Sequence, residues 1–114
     1  MISRLRIPFF LIIFILPLLA ISFKFNKKGE FTILQLTDLH FGENQTKDAN
    51  TQQLQRNLIR MSKPDLVVLS GDAISGGWVR RPGVFEETLR QVTEPMVEAK
   101  IPYAYILGNH GAEG

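Results

Sequence analysis

The sequence contains no cysteine among its 114 residues. Disulfide bonds and thiolate zinc sites are therefore excluded, and any bound metal must be held by oxygen atoms and imidazole nitrogens. This donor chemistry suits hard or borderline divalent ions. The absence leaves the compartment open, because disulfides are common in secreted proteins but are not required there.

The part of the sequence that reads as a folded domain has no excess of positive charge. The formal net charge is +2, but five of the 13 cationic residues lie near the N-terminus: Arg4, Arg6, Lys24, Lys27 and Lys28. From Glu30 onward, the remaining eight Lys and Arg residues face 11 Asp and Glu residues, a balance of −3. A nucleic-acid-binding domain carries its basic patch in the folded part. We therefore predict no nucleic-acid partner, and the N-terminal charge indicates a membrane or targeting role.

The N-terminal segment has the layout of a secretory signal. Residues 7–23 contain no charge, Arg4 and Arg6 precede them, and Ala20 and Ser22 offer a small-x-small cleavage site. An uncleaved anchor is the alternative, although the run is at the short end of the ~17–25 residues that span a bilayer. We predict that residues 1–23 are a signal peptide or signal anchor and that residues 24–30 are a polar linker. The protein would then belong to the secretory pathway, secreted or membrane-anchored, and would contact the membrane only through this segment.

Hydrophobic patterning and turn residues predict five elements in the order strand, helix, strand, helix, strand: residues 31–37, about 51–62, 66–69, about 85–96 and 103–107. Asp48, Asn50 and Thr51 are alternative caps for the first helix, and Pro95 predicts a kink or restart in the second. Alternating strands and helices predict an α/β fold with a parallel sheet and right-handed crossovers. Two successive right-handed crossovers in the same direction place both helices on one face and leave the other face bare, although the apolar second strand suits burial on both faces.

Polar residues follow each predicted strand. The first strand runs into Asp38 and His40, the second into Asp72, and the third into Asn109 and His110. Each motif alone is weak, because Asp-x-His and Gly-Asp are commonly loop or turn features. In parallel sheets, however, sites form beyond the carboxyl ends of the strands, so the three motifs converge on one edge. A bridging carboxylate with further oxygen and imidazole ligands is what a pair of divalent ions requires.

The order Asp-x-His, Gly-Asp, Gly-Asn-His resembles the calcineurin-like metallophosphoesterase family over about residues 31–110. Residues 63–72 and 101–110 are similar to its small purple-acid-phosphatase-like branch. The resemblance implies a β-sandwich flanked by helices, of which residues 31–114 would form the N-terminal part. It also implies a phosphate-ester substrate and a cofactor of two divalent or trivalent metal ions, Fe, Zn or Mn.

The resemblance implies a role for each motif residue. Asp38 and His40 would hold the first metal, Asp72 would bridge the two metals, and Asn109 would bind the second. His110 would be catalytic, steadying the phosphoryl transition state or protonating the leaving group. The implied reaction is phosphatase-type hydrolysis of phosphate esters by metal-bound hydroxide.

The sequence departs from the family pattern at several positions. Gly111 stands where family members usually carry an acidic residue, and Ser75 stands where purple enzymes carry a metal-binding tyrosine. No histidine follows His110, although the family uses a later Gly-His-x-His motif. We therefore expect a fragment that is not active alone. The alternative is a non-catalytic secreted or membrane-tethered module that retains the front half of the fold. The acidic domain and the apolar leader disfavour a nuclease of the same superfamily.

Overall fold

The computed structural model describes residues 22–78 and 81–109. Its elements in chain order are β1 (Ile33–Leu36), α1 (Gln45–Ser62), β2 (Leu66–Leu69), a short 3-10 helix (Gly76–Trp78), α2 (Val84–Ala99) and β3 (Tyr103–Tyr105). The strands form a sheet in the order β1-β2-β3, with both neighbouring pairs parallel. The predicted α/β class and the order of the elements are therefore confirmed.

One face of the sheet is covered by both helices. Val67 and Leu69 of β2 have no exposed surface, and Leu34 and Leu36 of β1 pack against the same core. The helices contribute three buried side chains to this core: Ile59, Val92 and Met96. Burying an aliphatic side chain of this size stabilises the fold by roughly 1.5–3 kcal/mol. The core extends to the carboxyl ends of the strands and includes buried side chains of the loops that follow β1 and β2.

The opposite face of the sheet is largely open. Ile33 of β1 is 55% exposed, Gln35 is also exposed, and Leu66 and Val68 of β2 are only half-buried. The prediction that both helices share one face is thus confirmed for the described residues. The prediction that β2 is buried on both faces is wrong within them, because the two helices lie on the other side.

Helix α1 begins six residues earlier than the sequence pattern predicts. Its N-cap is Asn44, whose side-chain oxygen accepts hydrogen bonds from the backbone N–H groups of Thr46 and Lys47 at 3.0 and 3.1 Å. The predicted caps Asp48, Asn50 and Thr51 lie inside the helix instead. The first turns are polar and carry no apolar periodicity, whereas the cap satisfies two backbone donors that the helix leaves unpaired.

Helix α2 continues through Pro95, so the predicted restart does not occur. Proline has no N–H for the carbonyl of Gln91, four residues earlier. The side chain of Gln52 in α1 replaces that donor, with its Nε2 2.6 Å from the Gln91 oxygen. Gln55 Nε2 donates to the neighbouring carbonyl of Val92 at 3.2 Å. Two glutamines of α1 therefore hydrogen-bond the stretch of α2 that the proline weakens.

The predicted signal peptide or anchor falls almost wholly on residues 1–21, which lie outside the described residues. Within residues 22–78 and 81–109, the helices are too short or too polar to cross a bilayer. The predicted linker forms a turn, in which Asn26 Oδ1 accepts from the backbone N–H groups of Lys28 and Glu30 at 2.8 and 3.0 Å.

Candidate metal centre

Three of the predicted site residues meet at the carboxyl edge of the sheet. Asp38 and His40 follow β1 and Asp72 follows β2, and one ligand atom from each lies within 4.8 Å of the others. His40 Nε2 is 4.0 Å from Asp38 Oδ1. Two carboxylates and one imidazole are the donor set that suits Fe, Zn or Mn. The parallel pairing of β1 and β2 brings these side chains together across more than 30 residues of sequence.

Backbone hydrogen bonds join the two loops that carry the cluster. The N–H of Asp38 donates to the carbonyl of Gly71, and the N–H of His40 donates to the carbonyl of Asp72, both at 3.1 Å. The N–H of Ser75 donates to the carbonyl of Phe41 at 3.0 Å. Phe41 is fully buried and forms a parallel bridge with the residue before Ser75. The loops therefore extend the β1–β2 pairing and fix the ligand side chains relative to each other.

The backbone at each cluster residue is in the left-handed region. The φ angles of Asp38, His40 and Asp72 are 54°, 50° and 47°. The other described non-glycine residues with positive φ are Lys63 and Lys100, which cap the C-termini of the two helices. Such conformations cost of order 1–3 kcal/mol each and persist where surrounding contacts hold them, often at functional sites. Here the hydrogen bonds between the loops supply those contacts.

The loop that follows β3 lies directly against Asp72. A Cβ built on Gly108 would collide with the carboxylate and the backbone nitrogen of Asp72, so only glycine fits at this position. Asn109, the next residue, is exposed at the same edge of the sheet. The predicted catalytic residue His110 lies outside the described residues. Gly108 of the Gly-Asn-His motif is thus in contact with the cluster.

Sequence reasoning missed two side chains that contact His40. Ser75 Oγ lies 3.1 Å from His40 Nδ1, and the Ser75 hydroxyl donates to Glu43 Oε1 at 2.6 Å. Ser75 is noticed in the sequence only because it replaces a tyrosine of purple enzymes, and Glu43 carries no signal of its own. A histidine ligand needs a partner for its second ring nitrogen, but 35 residues separate His40 from Ser75.

The negative charge of Asp72 affects the pKa of Tyr105 on the neighbouring strand. Burial raises the pKa of the Tyr105 hydroxyl above its ordinary value, and the nearby charge of Asp72 raises the same pKa further. Tyr105 is therefore neutral across the physiological pH range. It provides a titratable probe of the charge at the cluster.

A cavity of about 540 Å³ opens beside the cluster, between His40 and the first turns of α1. Its wall is mainly polar and includes Asn44, Lys47 and Asp48. Sites for small molecules commonly fall in this range of size. The cavity therefore has room for a small molecule next to His40.

A family model described as calcineurin-like phosphoesterase matches residues 31–113. The chain is 33% identical over 104 residues to "Probable inactive purple acid phosphatase 28" of Arabidopsis thaliana, covering 79% of this chain and 25% of that protein. It is 33% identical over 100 residues to "Phosphatase DCR2" of Saccharomyces cerevisiae, covering 76% of this chain and 17% of that protein. The chain thus spans a quarter or less of the length of these relatives.

The fold is similar to the crystal structure of a dimetal phosphatase from Danio rerio. The TM-score is 0.53 at 24% sequence identity, and the match covers 70% of this chain and 29% of that one. At this identity the likeness concerns the fold alone. It agrees with the α/β architecture expected from the sequence.

Proposed function

The chain belongs to the calcineurin-like phosphoesterase family, and we propose that its cluster at the sheet edge is part of a two-metal centre that hydrolyses phosphate esters. The observation that carries this proposal is the meeting of Asp38, His40 and Asp72, with ligand atoms within 4.8 Å of one another. Their oxygen and nitrogen donors fit Fe, Zn or Mn. The sequence-based family prediction is confirmed, whereas the activity stays a proposal because the chain spans a quarter or less of its relatives.

The proposed roles of Asp38, His40 and Asp72 are supported by the positions of these residues, whereas those of Asn109 and His110 follow from the family pattern. Asp38 and His40 would hold one ion, and Asp72 would lie between the two ions because it contacts both the loop after β1 and the loop after β3. Asn109 would supply an amide oxygen to the second ion, and His110 would act on the phosphoryl group or the leaving group. Bound ions would supply Lewis-acid polarisation of the phosphate and activation of water. The protein's own contribution is to hold these donors rigidly at the edge of the sheet.

Metal titration and a phosphatase assay on the full chain test the proposal together. Calorimetric titration with Mn²⁺ should show binding that weakens at least tenfold in Asp72→Asn, which keeps the shape of the side chain but removes its charge. Glu86→Gln, on the exposed first turn of α2, is the control for losing one negative charge. Turnover of 4-nitrophenyl phosphate that requires both Mn²⁺ and Asp72 would support the phosphoesterase.

A non-catalytic metal-binding module is the second candidate. The name of one Arabidopsis relative describes it as probably inactive, and Gly111 replaces the acidic residue that usually follows the third motif. Asp72-dependent binding of Mn²⁺ without any turnover would favour this candidate. Absence of Mn²⁺ binding in the unaltered chain would contradict both candidates.

We also propose that residues 1–23 direct the chain into the secretory pathway. The support is the sequence layout of two arginines followed by an uncharged apolar run. Fusing residues 1–30 to a reporter should move the reporter into the secreted or membrane fraction, and replacing residues 11–16 by serine should abolish that transfer. A reporter that remains in the cytosol with the unaltered segment would overturn the proposal.

A further inference from the structure

The two ring nitrogens of His40 face different chemical groups. Nε2 points to the cluster side, 4.0 Å from Asp38 Oδ1. Nδ1 points away from it, 3.1 Å from Ser75 Oγ and 3.8 Å from Glu43 Oε1. A neutral imidazole carries a proton on one of its two nitrogens, and the other is unprotonated. The position of that proton therefore decides which nitrogen can bind a metal.

Counting protons along this chain of contacts gives one answer. Ser75 Oγ lies 2.6 Å from Glu43 Oε1, and an ionised carboxylate can only accept hydrogen bonds. Ser75 therefore donates its single hydroxyl proton to Glu43 in a hydrogen bond. The oxygen then has only lone pairs to offer His40 Nδ1, so Nδ1 must carry the ring proton. The unprotonated nitrogen is consequently Nε2, which lies on the side of Asp38.

The surrounding structure keeps these three groups in register. Ser75 is 6% exposed, and its backbone N–H is held by the carbonyl of Phe41, the residue after His40. The hydroxyl therefore has little freedom to turn away from the imidazole. Glu43 directly precedes Asn44, the N-cap of α1, so the start of a long helix fixes the position of its backbone.

We propose that Ser75 and Glu43 are positioning residues that hold His40 as the Nδ1–H tautomer with its Nε2 directed at the metal. The proposal rests on the proposed metal centre, since it assigns the support of one ligand of that centre. Outer partners of this kind fix the ring orientation and the tautomer of histidine ligands and raise their basicity. Hydrogen bonds thus connect His40 to Ser75 and Ser75 to Glu43 and support the proposed metal ligand. The three residues belong to two separate loops.

The tautomer can be measured without any metal. Long-range ¹H–¹⁵N correlation of the histidine side chains in the full metal-free chain, held in detergent micelles at pH 8, should show His40 in the Nδ1–H form. His110→Gln assigns the signals, because the sequence has only two histidines. Ser75→Ala and Glu43→Ala should each let the Nε2–H form appear, and Ser75→Thr, which keeps a hydroxyl, should restore the original form.

Metal affinity is the second readout. Titration with Co²⁺, followed by its visible absorption, should show about 10–100-fold weaker binding in Ser75→Ala and Glu43→Ala, the usual effect of removing such a partner. Glu86→Ala is the matched control for loss of an exposed carboxylate and should bind Co²⁺ as the unaltered chain does. Circular dichroism checks that the variants are folded, and the half-exposed Glu43 can be changed without removing a buried side chain.

The outcomes separate this proposal from the proposed function. If both variants keep the Nδ1–H form and the original Co²⁺ affinity, the positioning role is wrong even though the metal centre stands. If the unaltered chain binds no Co²⁺, the metal centre is wrong, and with it the assignment of Ser75 and Glu43 as metal supports. A mixed tautomer in the unaltered chain would also overturn the positioning role.

Discussion

Gly108, in the loop after the third strand, lies in direct contact with Asp72, in the loop after the second. A methyl group at Gly108 would occupy the space of the Asp72 carboxylate. Gly71 is also close, since a Cβ built on it would meet the Gly108 Cα at 3.5 Å. The two glycines thus allow the loops after neighbouring strands to approach closely, and the Asp72 carboxylate occupies the space that a side chain at position 108 would need.

Replacing Gly108 by alanine should displace Asp72 and weaken metal binding. Overpacking of this kind typically costs about 1–3 kcal/mol. Here the atoms that must move are those of the side-chain carboxylate and the backbone nitrogen of Asp72. We expect a lower urea midpoint and at least tenfold weaker Mn²⁺ binding, measured by calorimetry. Gly77→Ala is the control, because a Cβ there meets no atom within 4 Å. Equal Mn²⁺ affinity in both variants would contradict the close contact.

The hydrogen bond from Gln52 to the helix containing Pro95 should contribute measurably to stability. In Gln52→Leu, the Gln91 carbonyl loses the donor that replaces the missing N–H of proline, at a cost of about 1 kcal/mol. In a Pro95→Ala background the same change should cost less, since alanine restores the backbone donor. Urea unfolding of the four chains in the double-mutant cycle measures the coupling. Additive effects would show that Gln52 does not compensate for the proline.

The titration of Tyr105 should report the charge on Asp72. Burial, the larger cause, and the Asp72 charge both raise the tyrosine pKa. Asp72→Asn should therefore lower the pKa of Tyr105 without returning it to the ordinary value of about 10. Tyrosine ¹³Cζ shifts followed from pH 8 to 12 measure this pKa, with Tyr103→Phe to assign the signals. A Tyr105 pKa unchanged by Asp72→Asn would place the two groups too far apart to interact.

The same raised pKa makes Tyr105 contribute to the loss of stability at alkaline pH. Since the pKa of Tyr105 is higher in the folded chain than in the unfolded chain, its contribution is fully present below the ordinary tyrosine range. That contribution is lost as pH rises through the folded-state pKa. The unfolding free energy should fall more steeply above pH 10 in the unaltered chain than in Tyr105→Phe. Parallel curves for the two chains would contradict this assignment.

The ion pair between Arg56 of α1 and Glu98 of α2 should govern part of the acid sensitivity. The Arg56 guanidinium donates to both carboxylate oxygens, at 2.8 and 3.1 Å, and these hydrogen bonds lower the pKa of Glu98. Because the folded-state pKa is lowered, the stabilisation is present above the ordinary Glu range. It is lost as pH falls through the lower, folded-state pKa. Glu98→Gln should be less stable than the unaltered chain at pH 7, and the gap should close toward pH 3.

That closing gap is measured by urea unfolding at several pH values. Glu86→Gln, without this partner, should show no gap that depends on pH in the same way. A stability difference for Glu98→Gln that stays constant from pH 7 to pH 3 would mean that the Arg56 contact does not favour the ionised carboxylate.

Several features follow from local chemistry and are readable in the sequence. The apolar run of β2 between Pro64 and Gly71 predicts that strand with the bounds the structure has. The alternation of strands and helices predicts parallel pairing through right-handed crossovers, and both helices share one face because the two crossovers run in the same direction, as the strand order β1-β2-β3 shows. The same logic predicts that Asp38, His40 and Asp72 meet at one edge.

Other features depend on contacts between distant residues. The start of α1 after Asn44 is hidden because its first turns are polar. In α2, which continues through Pro95, the carbonyl left without a backbone donor accepts a hydrogen bond from a glutamine of α1, 39 positions earlier in the chain. The left-handed backbone at the three cluster residues and the pairing of Ser75 with His40 arise only when two loops are joined by hydrogen bonds. Residue type and strand order therefore determine which side chains reach the edge of the sheet. Tertiary packing determines which nitrogen of His40 faces Asp38, because Ser75 and Glu43 take positions beside the other nitrogen that neither local sequence specifies.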